Sequence, residues 1–166
     1  MKKYKAVILS CILILLTVSC ATTVKVTSNK DASYNKNISR IIIYCKLHSE
    51  IESFTKYLYE SLSEEFKKNN VECLSYIEDD LSLETDVQKN IADFKPDVLL
   101  AVLLKKGVSG MNTVDLTIEA QIADVTNKNV IWKAEIDFKS HRFPNKEDSS
   151  QLAVELINKM KQDKLF

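Results

Sequence analysis

Residues 114–138 read VDLTIEAQIADVTNKNVIWKAEIDF, and this stretch decides the fold because apolar and polar side chains alternate twice along it. Alternation with a period of two is typical of a strand with one face on the core and the other in water. A polar turn over residues 124–129 separates the two runs, so the stretch predicts a long antiparallel hairpin. Its inward-facing positions are Val114, Leu116, Ile118, Ala120 and Ile122 on the first strand and Val130, Trp132, Ala134, Ile136 and Phe138 on the second.

Three apolar runs before the hairpin predict strands of another kind. They are residues 40–45 (RIIIYC), 71–77 (VECLSYI) and 97–104 (DVLLAVLL), and we expect them to be covered on both faces. Helical patterns separate them, and a strand that returns through a helix lies parallel to the strand before it. The sequence therefore predicts a parallel core that continues into the antiparallel hairpin.

Helices are predicted where apolar residues recur at steps of three and four. The first follows a capping box, Ser49-x-x-Glu52, a second spans about residues 86–94, and a third ends the chain. The apolar stripes are Ile51, Phe54, Leu58, Leu62 and Phe66 on the first helix and Leu152, Ala153, Leu156, Ile157 and Met160 on the last. We therefore expect one α/β (α+β) domain in the order βαβαββα, with a mixed sheet, a parallel core and a carboxyl-terminal antiparallel hairpin.

The amino-terminal residues have the pattern of an export signal. Lys2, Lys3 and Lys5 precede an apolar run over residues 6–18, which is shorter than the roughly 20 residues that span a bilayer. Residues 16–20, LTVSC, resemble the lipobox of bacterial lipoproteins. The resemblance implies cleavage after Ser19, a diacylglycerol on the Cys20 thiol and acylation of the new amino terminus. Several acyl chains make a stable membrane anchor.

The lipobox divides the chain into a signal (1–19), Cys20 with a flexible tether (20–38) and a globular domain (39–166). Residues 21–38 are rich in Thr, Ser, Asn and Lys, which favours a tether. The signal holds three of the 23 basic residues and no acid, so the rest carries 20 basic and 23 acidic residues, a net charge of −3. This balance argues against nucleic-acid binding. Ala21 favours the outer membrane, facing the periplasm, under the sorting rule of enteric bacteria.

Two cysteines, Cys45 and Cys73, remain besides Cys20 once the signal is removed. Both fall on strands that we expect to be neighbours, and exported proteins meet an oxidising compartment. Two alternatives stay open: a Cys45–Cys73 disulfide, or two buried thiols that pack as small apolar side chains.

The hairpin text resembles that of a known group. Residues 122–132, IADVTNKNVIW, are similar to the D-x-x-T-G-x-V-x-W hairpin of small envelope lipoproteins: penicillin-binding-protein activators, the curli secretion lipoprotein and relatives of the amino-terminal domain of the Tol-system propeller protein. Asp124, Val130 and Trp132 match in place. Lys128 replaces the turn glycine, so we expect Asn127 or Asn129 to take the positive-φ position.

That resemblance implies a binding or assembly module of the cell envelope rather than an enzyme. The residues themselves favour structural roles, with Trp132 as a core anchor and Asp124 as a turn former.

Few residues favour catalysis or metal binding. Cys45-x-x-His48 supplies too few ligands for a structural zinc site, and His141 is distant in sequence. The acidic residues 78–80 lack the spacing of a calcium loop. The chain has two glycines, which excludes a glycine-rich phosphate loop. We therefore expect no cofactor and no metal.

The sequence favours a lipid-anchored envelope protein that is held on the membrane by Cys20 and binds a protein partner in the periplasm. Tyr57 and Tyr59 on the first helix are candidate contact residues; the alternative places Tyr57 in the core and Tyr59 at its edge. Two other functions remain open. One is a small periplasmic hydrolase or other enzyme with a site near His48, and the other is a subunit of an envelope homo-oligomer whose sheet edges pair between chains.

Overall fold

The computed structural model describes residues 22–47, 51–76, 84–110 and 113–166, without the side chains of residues 84–88 and 109. Six strands form one sheet in the order β1-β6-β5-β4-β2-β3, in which β2 is parallel to β3 and β4 and the other neighbours are antiparallel. In chain order the elements are β1 (Thr23–Lys30), β2 (Arg40–Lys46), α1 (Glu52–Lys68), β3 (Glu72–Tyr76), α2 (Glu84–Phe94), β4 (Val98–Ser109), β5 (Val114–Asp124), β6 (Val130–Ser140) and α3 (Lys146–Gln162).

The predicted fold class, a mixed α/β domain with a parallel core and an antiparallel hairpin, is confirmed. The observed order is ββαβαβββα. It differs from the predicted order βαβαββα by the unforeseen β1 and by one more strand before α3, although residues 97–104 and both hairpin strands were each predicted as strands.

Helices α1 and α3 pack side by side on one face of the sheet. Both predicted apolar stripes are buried there, which confirms them. The layers meet where the rings of Phe54 on α1 and Phe138 on β6 lie 5.2 Å apart. The Ser149 hydroxyl on α3 donates a 3.1 Å hydrogen bond to the Phe54 carbonyl oxygen. This polar contact fixes the two helices in one register inside an apolar layer.

Residues 23–30 form a strand, so the expectation of a flexible tether over residues 20–38 is wrong there. β1 pairs with β6 along its whole length, from Thr23 opposite Lys139 to Lys30 opposite Trp132. Val24 and Val26 are half-buried against the core, and their neighbours Thr23, Lys25 and Thr27 are exposed. An edge strand has a neighbouring strand on one side only, so its side chains are less enclosed and fewer of them need to be apolar. The described part of the domain therefore includes β1, ahead of the predicted boundary at residue 39.

Strand β3 is an edge strand and is half-buried, so the expectation that all three early strands are covered on both faces holds best for β2. Among the described residues, β3 ends at Tyr76, opposite Tyr44, and the next residue of β2, Cys45, has no strand partner on that side. The Tyr59 hydroxyl fills this gap. It accepts a 2.7 Å hydrogen bond from the Cys45 amide and donates to the Tyr76 carbonyl oxygen.

Tyr59 is therefore a buried residue of the core, and the alternative that placed Tyr57 in the core and Tyr59 at its edge is wrong. Tyr57 is half-buried, with the Lys146 ammonium 6.0 Å from its ring centre.

Two strands differ in detail from the prediction. β4 runs past Leu104 to Ser109, with a register shift at Lys105. In β6 the pairing skips Ile131, since Ile122 faces Trp132 and Ala123 faces Val130. This bulge turns Ile131 into the core and leaves Val130 39% exposed, the reverse of the predicted alternation at these two positions.

Candidate functional site

The first described residue, Thr22, lies two positions after the predicted lipidation site, Cys20. Ser19, Cys20 and the signal over 1–19 lie outside the described residues, as do His48, Ser49 and the acidic stretch 78–80. The Thr22 hydroxyl donates a 2.5 Å hydrogen bond to a carboxylate oxygen of Asp148. Arg142 donates to the same oxygen at 3.2 Å. Thr22, the first described residue, is therefore already held in the fold.

Asp148 is positioned by the capping box of α3. Its carboxylate accepts a 2.9 Å hydrogen bond from the Asn145 amide, and the Asn145 side chain accepts one of 3.1 Å from the Asp148 amide. Because Asp148 is almost fully buried, its contacts with Thr22 and Arg142 tie the start of β1 to the start of α3.

The sheet has two distinct ends. At the entry end, one row of paired residues crosses four strands: Thr23, Lys139, Asp115 and Val108. At the turn end lie Asp124 and the β5–β6 turn. Lys139 and Val130 are nine residues apart on β6, so the ends are about 30 Å apart.

Asp124, the predicted turn former, organises the turn end. One carboxylate oxygen accepts hydrogen bonds from the amides of Thr126 at 2.8 Å and Asn127 at 3.2 Å. The other lies 3.6 Å from the Lys36 ammonium. Burial raises the pKa of Asp124, but the two amides and Lys36 outweigh it, so the pKa lies below the ordinary value. The carboxylate thus ties the turn to the segment between β1 and β2.

Lys128, and not Asn127 or Asn129, occupies the positive-φ position, with φ of 60°. The expectation that a neighbouring asparagine would take over this position is wrong. The Lys128 amide donates a 2.9 Å hydrogen bond to the Asp124 carbonyl oxygen, and the Asn127 side chain accepts one of 2.9 Å from the Asn129 amide. The turn keeps its backbone geometry although a lysine stands where the similar hairpins have glycine.

Trp132 is a core anchor, as its inward position predicted, and is 1% exposed. Its indole N–H donates a 2.8 Å hydrogen bond to Asp163, which follows α3. The same oxygen of Asp163 accepts a 2.5 Å bond from the Ser28 hydroxyl of β1. Burial raises the pKa of Asp163, but these hydrogen bonds and the nearby Lys159 lower it below the ordinary value. One carboxylate therefore connects β1, β6 and α3.

Cys45 and Cys73 are both free thiols, so the disulfide that the sequence left open is not formed in this fold. Cys73 pairs with Ile41, four residues before Cys45 on the neighbouring strand. That offset is about 13 Å along the strands, beyond the reach of a disulfide. Burial raises the pKa of the Cys45 thiol strongly, which leaves it a protonated and apolar side chain.

The sheet face opposite α1 and α3, which we call the open face, is covered in part at the start of β2. There the Arg40 guanidinium donates a 3.1 Å hydrogen bond to the carbonyl oxygen of Phe94, the last residue of α2, and Ile42 is buried. Its half-buried apolar part consists of Tyr44, Leu74, Tyr76, Leu99 and Leu103. The rings of Tyr44 and Tyr76 stack with their centres 6.2 Å apart. Its charged part lies on β6, at Lys133, Glu135, Asp137 and Lys139. Strand β5 lies between the two parts, with the half-buried Thr117, Glu119 and Gln121.

At the turn end, a groove of about 600 Å³ opens between the end of α1 and the start of β3. It is lined by Lys67, Asn70, Val71, Glu72, Cys73 and Phe94.

The described residues bring no group of three or more histidine, cysteine or carboxylate side chains together at metal-binding distance. His141 is exposed just beyond β6. Within the same residues, no helix has both the length and the apolar character needed to cross a bilayer.

Solved structures with a similar fold include PelC from Paraburkholderia phytofirmans, described as a dodecamer. An L103M form has a TM-score of 0.54 at 8% identity over 81% of this chain and 95% of that one. A second crystal form gives 0.51 at 12% identity over 82% and 94%. Lipoprotein GNA1162 from Neisseria meningitidis has a TM-score of 0.47 at 11% identity over 75% and 99%. At these identities the likeness to PelC shows the fold alone.

No protein-family model and no curated protein sequence matches the chain. The resemblance of residues 122–132 to the hairpin of envelope lipoproteins therefore has no support from a sequence match.

Sequence reasoning missed the polar residues that join distant elements. Thr22 meets Asp148 across 126 positions, and Ser28 meets Asp163 across 135. Such contacts leave no periodic pattern in the sequence, since they depend on how β1 and α3 come together in space. The alternation of Val24 and Val26 with polar neighbours was the one local signal for β1.

Proposed function

We propose that this chain is a lipid-anchored protein of the bacterial cell envelope that binds a protein partner on the periplasmic side. Cys20 carries the lipid, and the domain that starts at Thr22 carries the binding surface. The observation that carries the proposal is the lipobox-like sequence 16–20, which stands directly before a folded domain.

The open face supplies the surface for the partner. Leu99 and Leu103 are half-buried on β4, with the stacked rings of Tyr44 and Tyr76 on β2 and β3. Apolar and aromatic side chains beside a charged rim are typical of protein interfaces. Catalysis near His48 is no part of this proposal.

Photocrosslinking in the native envelope tests the partner. A benzophenone amino acid at Leu103, on the open face, is expected to capture a discrete protein. The same group at Val154, which is 36% exposed on α3, serves as the matched control. The absence of any captured protein above background at Leu103, or equal capture at both positions, would contradict the proposed binding surface.

A homo-oligomer is the second candidate, and the fold likeness to the PelC dodecamer favours it. β1 lies at one end of the strand order, so within the described chain no strand pairs with its outer side. Such an edge can pair with a strand of another copy.

The mass of the native lipidated protein in detergent, measured by light scattering, separates this candidate from the first. A defined multiple of the chain mass supports it. A monomeric mass that persists at high protein concentration excludes it and leaves the binding module as the function.

A further inference from the structure

The position of Thr22 determines which end of the domain lies near the anchor. Between Cys20 and Thr22 there is one residue, Ala21, so these two residues are at most about 7 Å apart. Thr22 is fixed by its bond to Asp148, and Thr23 begins the row of residues that marks the entry end. A lipid on Cys20 would sit within one headgroup layer of this end, since that layer is about 5–8 Å thick.

The entry end also carries the two most exposed large apolar side chains of the described residues. Val108 is 59% exposed and lies in the same row as Thr23. Phe143 is 63% exposed and follows Arg142, which shares the Asp148 carboxylate with Thr22. An exposed phenylalanine beside a chain end this close to a lipid is typical of a contact with the membrane interface.

The charges at this end are compatible with a lipid surface. Two acids there form ion pairs, since Asp115 lies 2.8 Å from the Lys139 ammonium and Asp148 lies 3.2 Å from Arg142. Glu147, in the first turn of α3, is exposed, as is its neighbour Lys146. Lys106 is exposed close to Val108. An anionic membrane surface attracts nearby cations, and an acid that is already paired with a cation weakens this attraction only slightly.

We propose that the entry end rests on the lipid bilayer, with Phe143 and Val108 inserted among the headgroups beside the Cys20 anchor. This inference rests on the lipid anchor of the proposed function. The short connection and the apolar contacts together fix the orientation of the domain. The turn end, with its groove, then points away from the membrane.

Tryptophan fluorescence in vesicles tests this orientation. The full lipidated chain is placed in phosphatidylethanolamine–phosphatidylglycerol vesicles whose acyl chains carry bromine, a quencher, near the headgroup. One variant is Phe143→Trp. The control is Val125→Trp, because Val125 is 41% exposed in the β5–β6 turn at the other end. Trp132 is buried in both variants, so the unsubstituted protein supplies the background.

The expected result is a blue-shifted, bromine-quenched emission from Phe143→Trp and an unchanged emission from Val125→Trp. If the protein floats with the vesicles but the emission from position 143 is not quenched, the proposed orientation is wrong and the lipid anchor is retained. Equal quenching at positions 143 and 125 leads to the same conclusion. A blue-shifted emission from position 143 without bromine quenching also contradicts the proposed orientation, because the entry end would then be covered by another protein and not by lipid. Failure of the unsubstituted chain to float with the vesicles contradicts the anchor and the orientation together.

Discussion

At the scale of single residues, the β5–β6 turn requires a positive φ at one position, residue 128. Lys128 has a φ of 60°, in the left-handed region that glycine occupies most easily. The sequence placed the turn correctly but assigned the wrong residue to this conformation, because asparagine tolerates it better than lysine. The turn geometry followed the pairing of the strands and the carboxylate of Asp124, not the intrinsic preference of one residue.

Substitutions at Lys128 test this conformation. We expect Lys128→Val to lower the free energy of unfolding by about 1–2 kcal/mol, since a β-branched residue is strained at positive φ. Lys128→Gly is expected to be neutral or slightly stabilising. Urea unfolding measures both, with Asn129→Val as the control for the neighbouring position. A Lys128→Val protein as stable as the parent would show that residue 128 does not hold this conformation.

The lowered pKa of Asp124 predicts that the free energy of unfolding depends on pH. Its pKa in the folded protein lies below the ordinary value of 3.8, so its stabilising contribution is complete above about pH 5. That contribution is lost as the pH falls through 3.8 toward the lowered value. The stability difference between the parent and Asp124→Asn should therefore be constant at pH 5–7 and shrink at pH 3–4. A difference that does not change over this range would contradict the role of the charged carboxylate.

At the scale of the elements, the sequence predicted those with strong periodicity. Every residue of the predicted α1 and α3 stripes and every predicted inward residue of β5 is buried. β1 was missed because only Val24 and Val26 mark its inner side, and the polar Ser28 and Lys30 continue it. The bulge at Ile131 could not be foreseen either, because a shift of one residue arises from the fit between strands rather than from the alternation itself.

Neighbouring residues of β1 provide a matched test of the strand. Val26→Asp places a charge against the core and should cost about 1–3 kcal/mol of folding free energy. Thr27→Asp, on the exposed side, should change the stability little. Thermal or urea unfolding of the two variants decides between a strand and a tether. If both variants are as stable as the parent, residues 23–30 are a flexible tether and not a strand.

At the scale of the whole molecule, the sheet has an entry end and a turn end that lie about 30 Å apart. The parallel core and the hairpin were predictable from the order of apolar runs and helices. The position of the chain entry was not, since it depends on β1 pairing with β6 and on Thr22 meeting Asp148. β1 therefore occupies residues that the sequence assigned to a tether, and one residue, Ala21, separates Thr22 from the proposed lipidation site at Cys20.

The central claim is that Cys20 is the lipidated first residue of the mature protein. The intact mass of the protein, purified from the membranes of its expressing bacterium, tests this most directly. We predict a chain that begins at Cys20 and carries a diacylglycerol and an amide-linked acyl chain, and a Cys20→Ala variant that retains residues 1–19 or loses the lipid mass. A membrane-bound parent protein with an unmodified Cys20 would contradict the account.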